Sequence, residues 1–227
     1  MYRTIFSGNL HERWKLPKRA DNPLPIGYMP ELDVSPVLKP NLASYYQSQI
    51  GVLRWMVELG RVDINTEVSM LSSHMAMPRE GHLESIFHIF AFLKGKHNSR
   101  LALDPTYAEI DPGDFKKCDW KEFYGNVREA IPLDAPEPRG KEVDLRLYLD
   151  SDHAGDKLTR RSRTGFFIFM NTALIGWLSK KQATIETSVF GVEFVAMKHG
   201  METLRGIRYK LRMMGIPISG PSYIYGG

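Results

Sequence analysis

Cysteine is nearly absent: Cys118 is the only one in 227 residues. A single thiol excludes an intrachain disulfide, and with it a small secreted scaffold held by bridges. It also excludes the zinc sites that draw most of their four ligands from cysteine. Long apolar runs are missing too. No stretch approaches the ~20 residues that a membrane-spanning helix needs, so no membrane partner is expected. The opening Met1-Tyr-Arg-Thr-Ile-Phe-Ser-Gly8 lacks the apolar core of ~7–15 residues that marks a secretory leader. The expectation is an intracellular chain, in cytoplasm or nucleus, and not a secreted one. A composition 43% hydrophobic and 25% charged excludes a disordered acidic tail and a collagen-like repeat.

The net charge of +4 is small but unevenly spread. Residues 145–227 carry 12 Lys and Arg against 6 Asp and Glu, whereas residues 100–144 carry 7 against 11. The basic C-terminal portion suits a polyanionic partner or simply a solvated surface.

Residues 1–40 hold Pro17, Pro23, Pro25, Pro30, Pro36 and Pro40, a spacing that forbids a long helix. They are expected to form an extended arm, wrapped on a partner or serving as a linker. Residues 41–99 change character. Tyr46, Ile50, Leu53 and Val57 recur at helical spacing, with Gly60 as a stop. Ile64, Val68, Leu71 and Met75 form a second stripe, and Leu83, Ile86, Phe87, Phe90 and Leu93 a third. These predict three short helices in a small bundle. His74, His82 and His88 lie here, but His82 and His88 are not a same-face pair, which argues against a metal site. Residues 100–142 contain Asp104-Pro105, Asp111-Pro-Gly113, Pro132, Pro136 and Pro138 and read as an acidic connector.

At Val143 the period switches to two. Val143, Leu145, Leu147 and Leu149 alternate with Asp144, Arg146, Tyr148 and Asp150, which predicts a strand with one apolar face. Gly165–Met170 and Ala173–Leu178 flank Asn171-Thr172 and predict a β-hairpin. Thr187 or Ser188 can cap a helix running to about Met214. That helix reads as apolar nearly all round, hence buried on more than one side. Ser222-Tyr-Ile-Tyr225 predicts a further short strand. The fold class expected for residues 143–227 is therefore α/β, preceded by a small helical region.

The order strand, hairpin, helix, strand is the first half of a ribonuclease H-like fold. Four strings carry the likeness: Tyr148-Leu-Asp-Ser-Asp-His-Ala-Gly-Asp156, Thr159-Arg-Arg-Ser-Arg-Thr-Gly165, Trp177-Leu-Ser-Lys-Lys-Gln182 and Glu193-Phe-Val-Ala196. Together they resemble the ribonuclease H domain of copia-type (Ty1/copia) retrotransposon Pol polyproteins. Tyr45-Tyr-Gln-Ser-Gln-Ile-Gly-Val-Leu-Arg-Trp55, Arg61-Val-Asp-Ile64 and Phe92-Leu-Lys-Gly95 are similar to the preceding segment, the thumb and connection end of the reverse transcriptase. The resemblance covers roughly residues 41–227, apart from the connector. It implies that residues 143–227 form an incomplete, truncated ribonuclease H-like domain. The family's Tyr-x-Asp-Asp polymerase turn has no counterpart before residue 41, so DNA polymerisation by this chain alone is not expected.

The resemblance also implies a chemistry. Family ribonuclease H domains cleave the RNA of an RNA–DNA hybrid with two divalent ions held by clustered carboxylates. Mg²⁺ suits such hard oxygen ligands. Asp150 corresponds to the first carboxylate and Glu193 to the second, with Asp152 as a further metal candidate that can equally cap a turn. The third family aspartate follows a strand like Tyr223-Ile-Tyr225, but here Gly226-Gly227 follows, so that aspartate is either substituted by Gly227 or lost by truncation. Thr187-Ser-Val-Phe-Gly-Val-Glu-Phe194 also lacks one of two family glutamates, at Phe190-Gly191. A catalytically incomplete site is the expectation, because charge stabilisation dominates such catalysis. Arg160, Arg161, Arg163, Lys180 and Lys181 lie in the family motifs and are the candidate contacts to nucleic-acid phosphates. The partners implied are an RNA–DNA hybrid or other nucleic acid and the remainder of the Pol polyprotein. The alternatives are a non-catalytic nucleic-acid-binding remnant and a non-functional fragment of a decayed element.

Overall fold

A computed structural model describes residues 19–227, apart from 112, 114, 116–118, 120 and 128. These residues group into two compact units that interleave along the chain. The first holds the residues up to Leu101 together with Asp152–Thr164 and Leu178–Val189. The second holds Ala102–Ser151, Gly165–Trp177 and Phe190–Gly227.

The first unit is built on three helices: α1 (Pro40–Glu58), α2 (Asn65–Ser72) and α3 (Glu80–Gly95). Pro40 opens α1 at a position where a missing N–H costs nothing. Gly60, just past its end, has φ +109°, a conformation open to glycine and strained for side-chain-bearing residues. The predicted stripes are buried except for Met75, which lies past the end of α2: Tyr46, Ile50, Leu53 and Val57 on α1, Val68 and Leu71 on α2, Leu83, Ile86 and Leu93 on α3. Inside this core the Tyr46 hydroxyl donates to the Leu71 carbonyl at 2.7 Å, so the one polar atom carried in on that ring is satisfied.

Residues 1–18 of the predicted arm lie outside the described residues. From residue 19 on, the arm is packed on the helices of its own unit. Pro30 and Leu38 are buried. His82 at the start of α3 donates from Nε2 to the Pro30 carbonyl (2.8 Å) and accepts the Arg79 N–H at Nδ1 (3.1 Å). Leu38 N–H bonds to Pro78 O, and Glu80 N–H to Pro36 O. The prolines forbid a helix, but they leave carbonyls that the exposed N–H groups at the start of α3 can use.

The second unit carries one further helical turn, α4 (Lys121–Tyr124), and the long helix α5 (Val189–Met213). A four-stranded sheet has the order β3-β2-β1-β4, with β1 at Leu145–Asp152, β2 at Arg163–Met170, β3 at Ala173–Lys181 and β4 at Tyr223–Gly226. Strands β1, β2 and β3 each carry the chain from one unit into the other, which is why the units do not follow chain order. In the second unit Leu145, Leu147 and Leu149 of β1 are buried, as the alternation predicts.

Helix α5 corrects an expectation. It is not buried on more than one side. Val192, Ala196, Gly200, Leu204 and Leu211 form one buried stripe, while Phe190, Phe194, Met197 and Met201 are exposed. The apolar arc is wide, but only the part facing Leu147 is covered within this unit. Gly200 is the point of closest approach: a Cβ built there would lie 2.8 Å from Leu147 Cδ2. The connector is tied down as well. Glu129 accepts from both Arg208 and Arg212 of α5 (2.7 Å each), and the Arg208 bond first, then Arg212, holds its carboxyl at about 2.

Candidate carboxylate site

Strand β4 runs parallel to β1, with Arg146 opposite Tyr223, Leu147 opposite Ile224, Tyr148 opposite Tyr225 and Leu149 opposite Gly226. Tyrosines hold that register. The Tyr148 and Tyr225 rings stack at 4.5 Å with planes 5° apart, and Phe169 meets Tyr148 edge-on at 5.6 Å. The next step of the register brings Gly227 opposite Asp150. A Cβ on Gly227 would lie 3.2 Å from Asp150 Oδ1. The position that the resemblance assigns to a third acid is thus beside the first acid, and it carries no side chain.

Asp150 is exposed, and its Oδ1 accepts the N–H of Ser151 at 2.8 Å. Glu193 projects from the first turns of α5 to the same residue. The Ser151 hydroxyl donates to Glu193 Oε1 at 2.6 Å. Glu193 Oε2 is buried and has no hydrogen-bond partner among the described residues. Successive strand residues alternate in direction, so the two acids approach the end of β1 from its two sides and meet at Ser151 rather than at each other. No group of three or more His, Cys, Asp or Glu able to hold a metal occurs among the described residues. The donor set fits a divalent cation in kind: hard oxygens, one of them orphaned and buried. It does not fit a pair of ions, which needs more anionic ligands than two.

Asp152 lies elsewhere. It belongs to the first unit, where its Oδ1 accepts the Arg163 N–H and its carboxylate lies over Gly155. It closes the 153–162 loop and lines a cleft of about 120 Å³. The basic candidates are also in the first unit. Arg160, Arg161 and Lys180 are exposed. Lys181 is spent on Asp156 at 2.8 Å. Burial works against the Asp156 charge, but the Lys181 ammonium and the Thr159 N–H outweigh it and hold the carboxyl at about 2. Arg163 donates from its guanidinium to the Ser69 hydroxyl at 2.6 Å. Three of the five cations are therefore turned to solvent without such engagements.

Ser151 is the residue that sequence reasoning passed over. The signal was present: the period of two places it on the face of Leu147 and Leu149, the face that meets α5 and so Glu193.

Comparison with known proteins gives several relatives, among them retrovirus-related Pol polyproteins. The chain is 26% identical over 201 residues to the retrovirus-related Pol polyprotein from transposon RE1 of Arabidopsis thaliana, covering 88% of this chain. It is 24% identical over 201 residues to the corresponding polyprotein from transposon RE2 of the same plant. It is 23% identical over 179 residues to that from transposon TNT 1-94 of Nicotiana tabacum, covering 78% of this chain. The matched segment is 11% of the length of each of these relatives. No family model matches the chain, and no solved structure matches it. The described residues form an α/β fold with a mixed four-stranded sheet, and none of their helices is long and apolar enough to cross a membrane. Over most of its length, then, the chain is similar to a segment of plant retrotransposon Pol polyproteins.

Proposed function

We propose that the chain is a ribonuclease H-like segment of a retroelement Pol polyprotein, with two of the inherited acids in place and the third missing. Asp150 and Glu193 hold one divalent cation, Mg²⁺ in the cell, at the end of β1. An RNA–DNA hybrid is the partner, and Arg160, Arg161 and Lys180 meet its phosphates. When bound, the cation supplies charge stabilisation to the scissile phosphate, and two ions are needed to serve both attacking and leaving oxygens. With Gly227 where an acid would stand, the chain binds but does not turn over. The observation that carries this reading is the parallel register of β4 on β1, which sets Gly227 beside Asp150, together with a Glu193 Oε2 that is buried and without a partner among the described residues.

Cation binding tests it. Titrated with Mn²⁺ as the probe, followed by calorimetry or by the Mn²⁺ resonance signal, the chain takes up one ion. Asp150→Asn and Glu193→Gln each weaken that uptake about tenfold or more, equivalent to at least ~1.4 kcal/mol. Affinity unchanged by both substitutions contradicts the assignment.

A further inference from the structure

Three residues other than glycine take a left-handed backbone among the described residues: Ala154 (φ +53°), Arg160 (φ +56°) and Asn171 (φ +55°). That conformation costs free energy for any residue with a Cβ. At two of them the reason lies inside the chain. Ala154 is buried, with its N–H on the Ser162 hydroxyl. Asn171 spends its side chain on the Asp144 N–H and the Pro105 carbonyl. Arg160 is different. It is exposed, and no hydrogen bond or ion pair engages its guanidinium among the described residues. Strain kept under an unengaged, solvent-facing cation points to a use outside the chain. We propose that the turn from Asp156 to Arg161 is a preorganised loop for the phosphates of a nucleic-acid backbone, in which Lys157, Arg160 and Arg161 make the contacts and the Asp156–Lys181 pair positions them.

The turn is fixed before any ligand arrives. Five successive N–H groups, from Asp156 to Arg160, are all bonded. Asp156 N–H goes to Arg161 O (3.2 Å) and Arg160 N–H to Asp156 O (2.8 Å). Lys157 N–H goes to Glu31 Oε1 (3.2 Å), and the Leu158 and Thr159 N–H groups go to Asp156 Oδ1 (3.1 and 2.7 Å). The other Asp156 oxygen takes the Lys181 ammonium at 2.8 Å, which fastens the turn to the end of β3. Lys181 is therefore a support and not a contact. The side chains of Lys157, Arg160 and Arg161 are left exposed. Residues 152–163 with Lys180 and Lys181 carry six Lys and Arg against two Asp, and the nearby Glu31 leaves that excess in place. All of these residues belong to the first unit. Cations on a loop already ordered lose less freedom on binding than cations on a mobile one.

The loop's role rests on the reading that nucleic-acid phosphates meet this chain, and not on a bound cation. Binding of a labelled RNA–DNA hybrid is followed by fluorescence anisotropy across a salt series in buffer free of divalent ions, with thermal midpoints measured alongside. Arg160→Gly relieves the strain and removes one contact. It is expected to raise the midpoint by about 2 °C. At ~0.15 M salt it is expected to weaken hybrid binding about fivefold and to lower the log–log salt slope by about 0.9. Arg160→Lys keeps the charge and stays within about twofold of the unaltered chain. Lys157→Ala, which touches no bond of the turn, loses about fivefold. Asp156→Ala removes a negative charge, which by charge alone tightens binding to a polyanion; loss of positioning weakens it instead, and about fivefold weaker is expected. If the unaltered chain does not bind the hybrid, or binds it equally at all salt concentrations, the nucleic-acid reading falls and the loop's role with it. If Lys180→Ala weakens binding while Arg160→Gly and Lys157→Ala do not, the phosphate reading stands and the loop's role is overturned. A lower midpoint for Arg160→Gly, or tighter binding by Asp156→Ala, also overturns it.

Discussion

Gly200→Val is expected to destabilise the second unit by about 3 kcal/mol, the upper range for overpacking a tight contact. Gly200 sits in the middle of α5, where glycine costs ~1 kcal/mol against alanine. The position tolerates that cost because α5 presses on β1 there. An added Cβ would meet Leu147 Cδ2 at 2.8 Å and Cδ1 at 3.3 Å. Leu147 is fully buried and has nowhere to swing. Gly200→Ala adds one methyl group and gains helix propensity, so its net loss is about 1 kcal/mol. Urea unfolding followed by the helical circular dichroism signal measures both. The site shares in the result, because this contact seats the helix that carries Glu193 to Ser151. An unchanged midpoint for Gly200→Val would mean that α5 does not press on β1.

The second large effect is loss of stability in acid through His74. Burial, then the neighbouring His82 and the Lys181 ammonium, push its imidazole down from 6.5 to about 4, against the smaller pull of Glu31 and Asp156. The His74 and His82 rings lie 4.3 Å apart. His82 donates to the Pro30 carbonyl and accepts the Arg79 N–H. The unfolded chain binds a proton at His74 near pH 6.5, and the folded chain only near pH 4. Between those values the unfolded state holds more protons, so stability is full above pH 6.5 and falls as the pH drops to 4. The span is worth up to ~3 kcal/mol, and about 2 kcal/mol after solvent screening of a half-buried ring. His74→Phe keeps a ring against His82 and removes the titrating nitrogen. It should flatten the slope of stability between pH 6.5 and 4 by that amount. A slope identical in the variant would assign the acid sensitivity elsewhere.

Much of this architecture was written in the periodicities. The stripe of Tyr46, Ile50, Leu53 and Val57 announced α1, and the alternation from Val143 announced β1, because burial on one face leaves a direct imprint on sequence. The arm was read as extended, and from residue 19 on it includes a short 3-10 helix at Pro30–Leu32. Its docking was not legible, since it depends on Pro30, Ser35 and Pro36 offering oxygen atoms to the start of α3 far along the chain. Helix α5 misled for a related reason. Val189, Val192, Val195, Ala196, Leu204, Ile207 and Leu211 make it look buried all round, yet Val189 is exposed, and which part of an apolar arc is covered depends on partners and not on the helix. At the site, the residue types were legible and the geometry was not. Asp152 and Asp150 are two residues apart on one strand, but only Asp150 lies beside Gly227, while Asp152 serves the 153–162 loop.

The central claim is a chain that keeps two acids of a hybrid nuclease and lacks the third. Incubation with a labelled RNA–DNA hybrid and Mg²⁺ addresses it most directly. The account expects salt-sensitive binding of the hybrid with no Mg²⁺-dependent cleavage above buffer. Sustained turnover by the unaltered chain, abolished by Asp150→Asn, would contradict it.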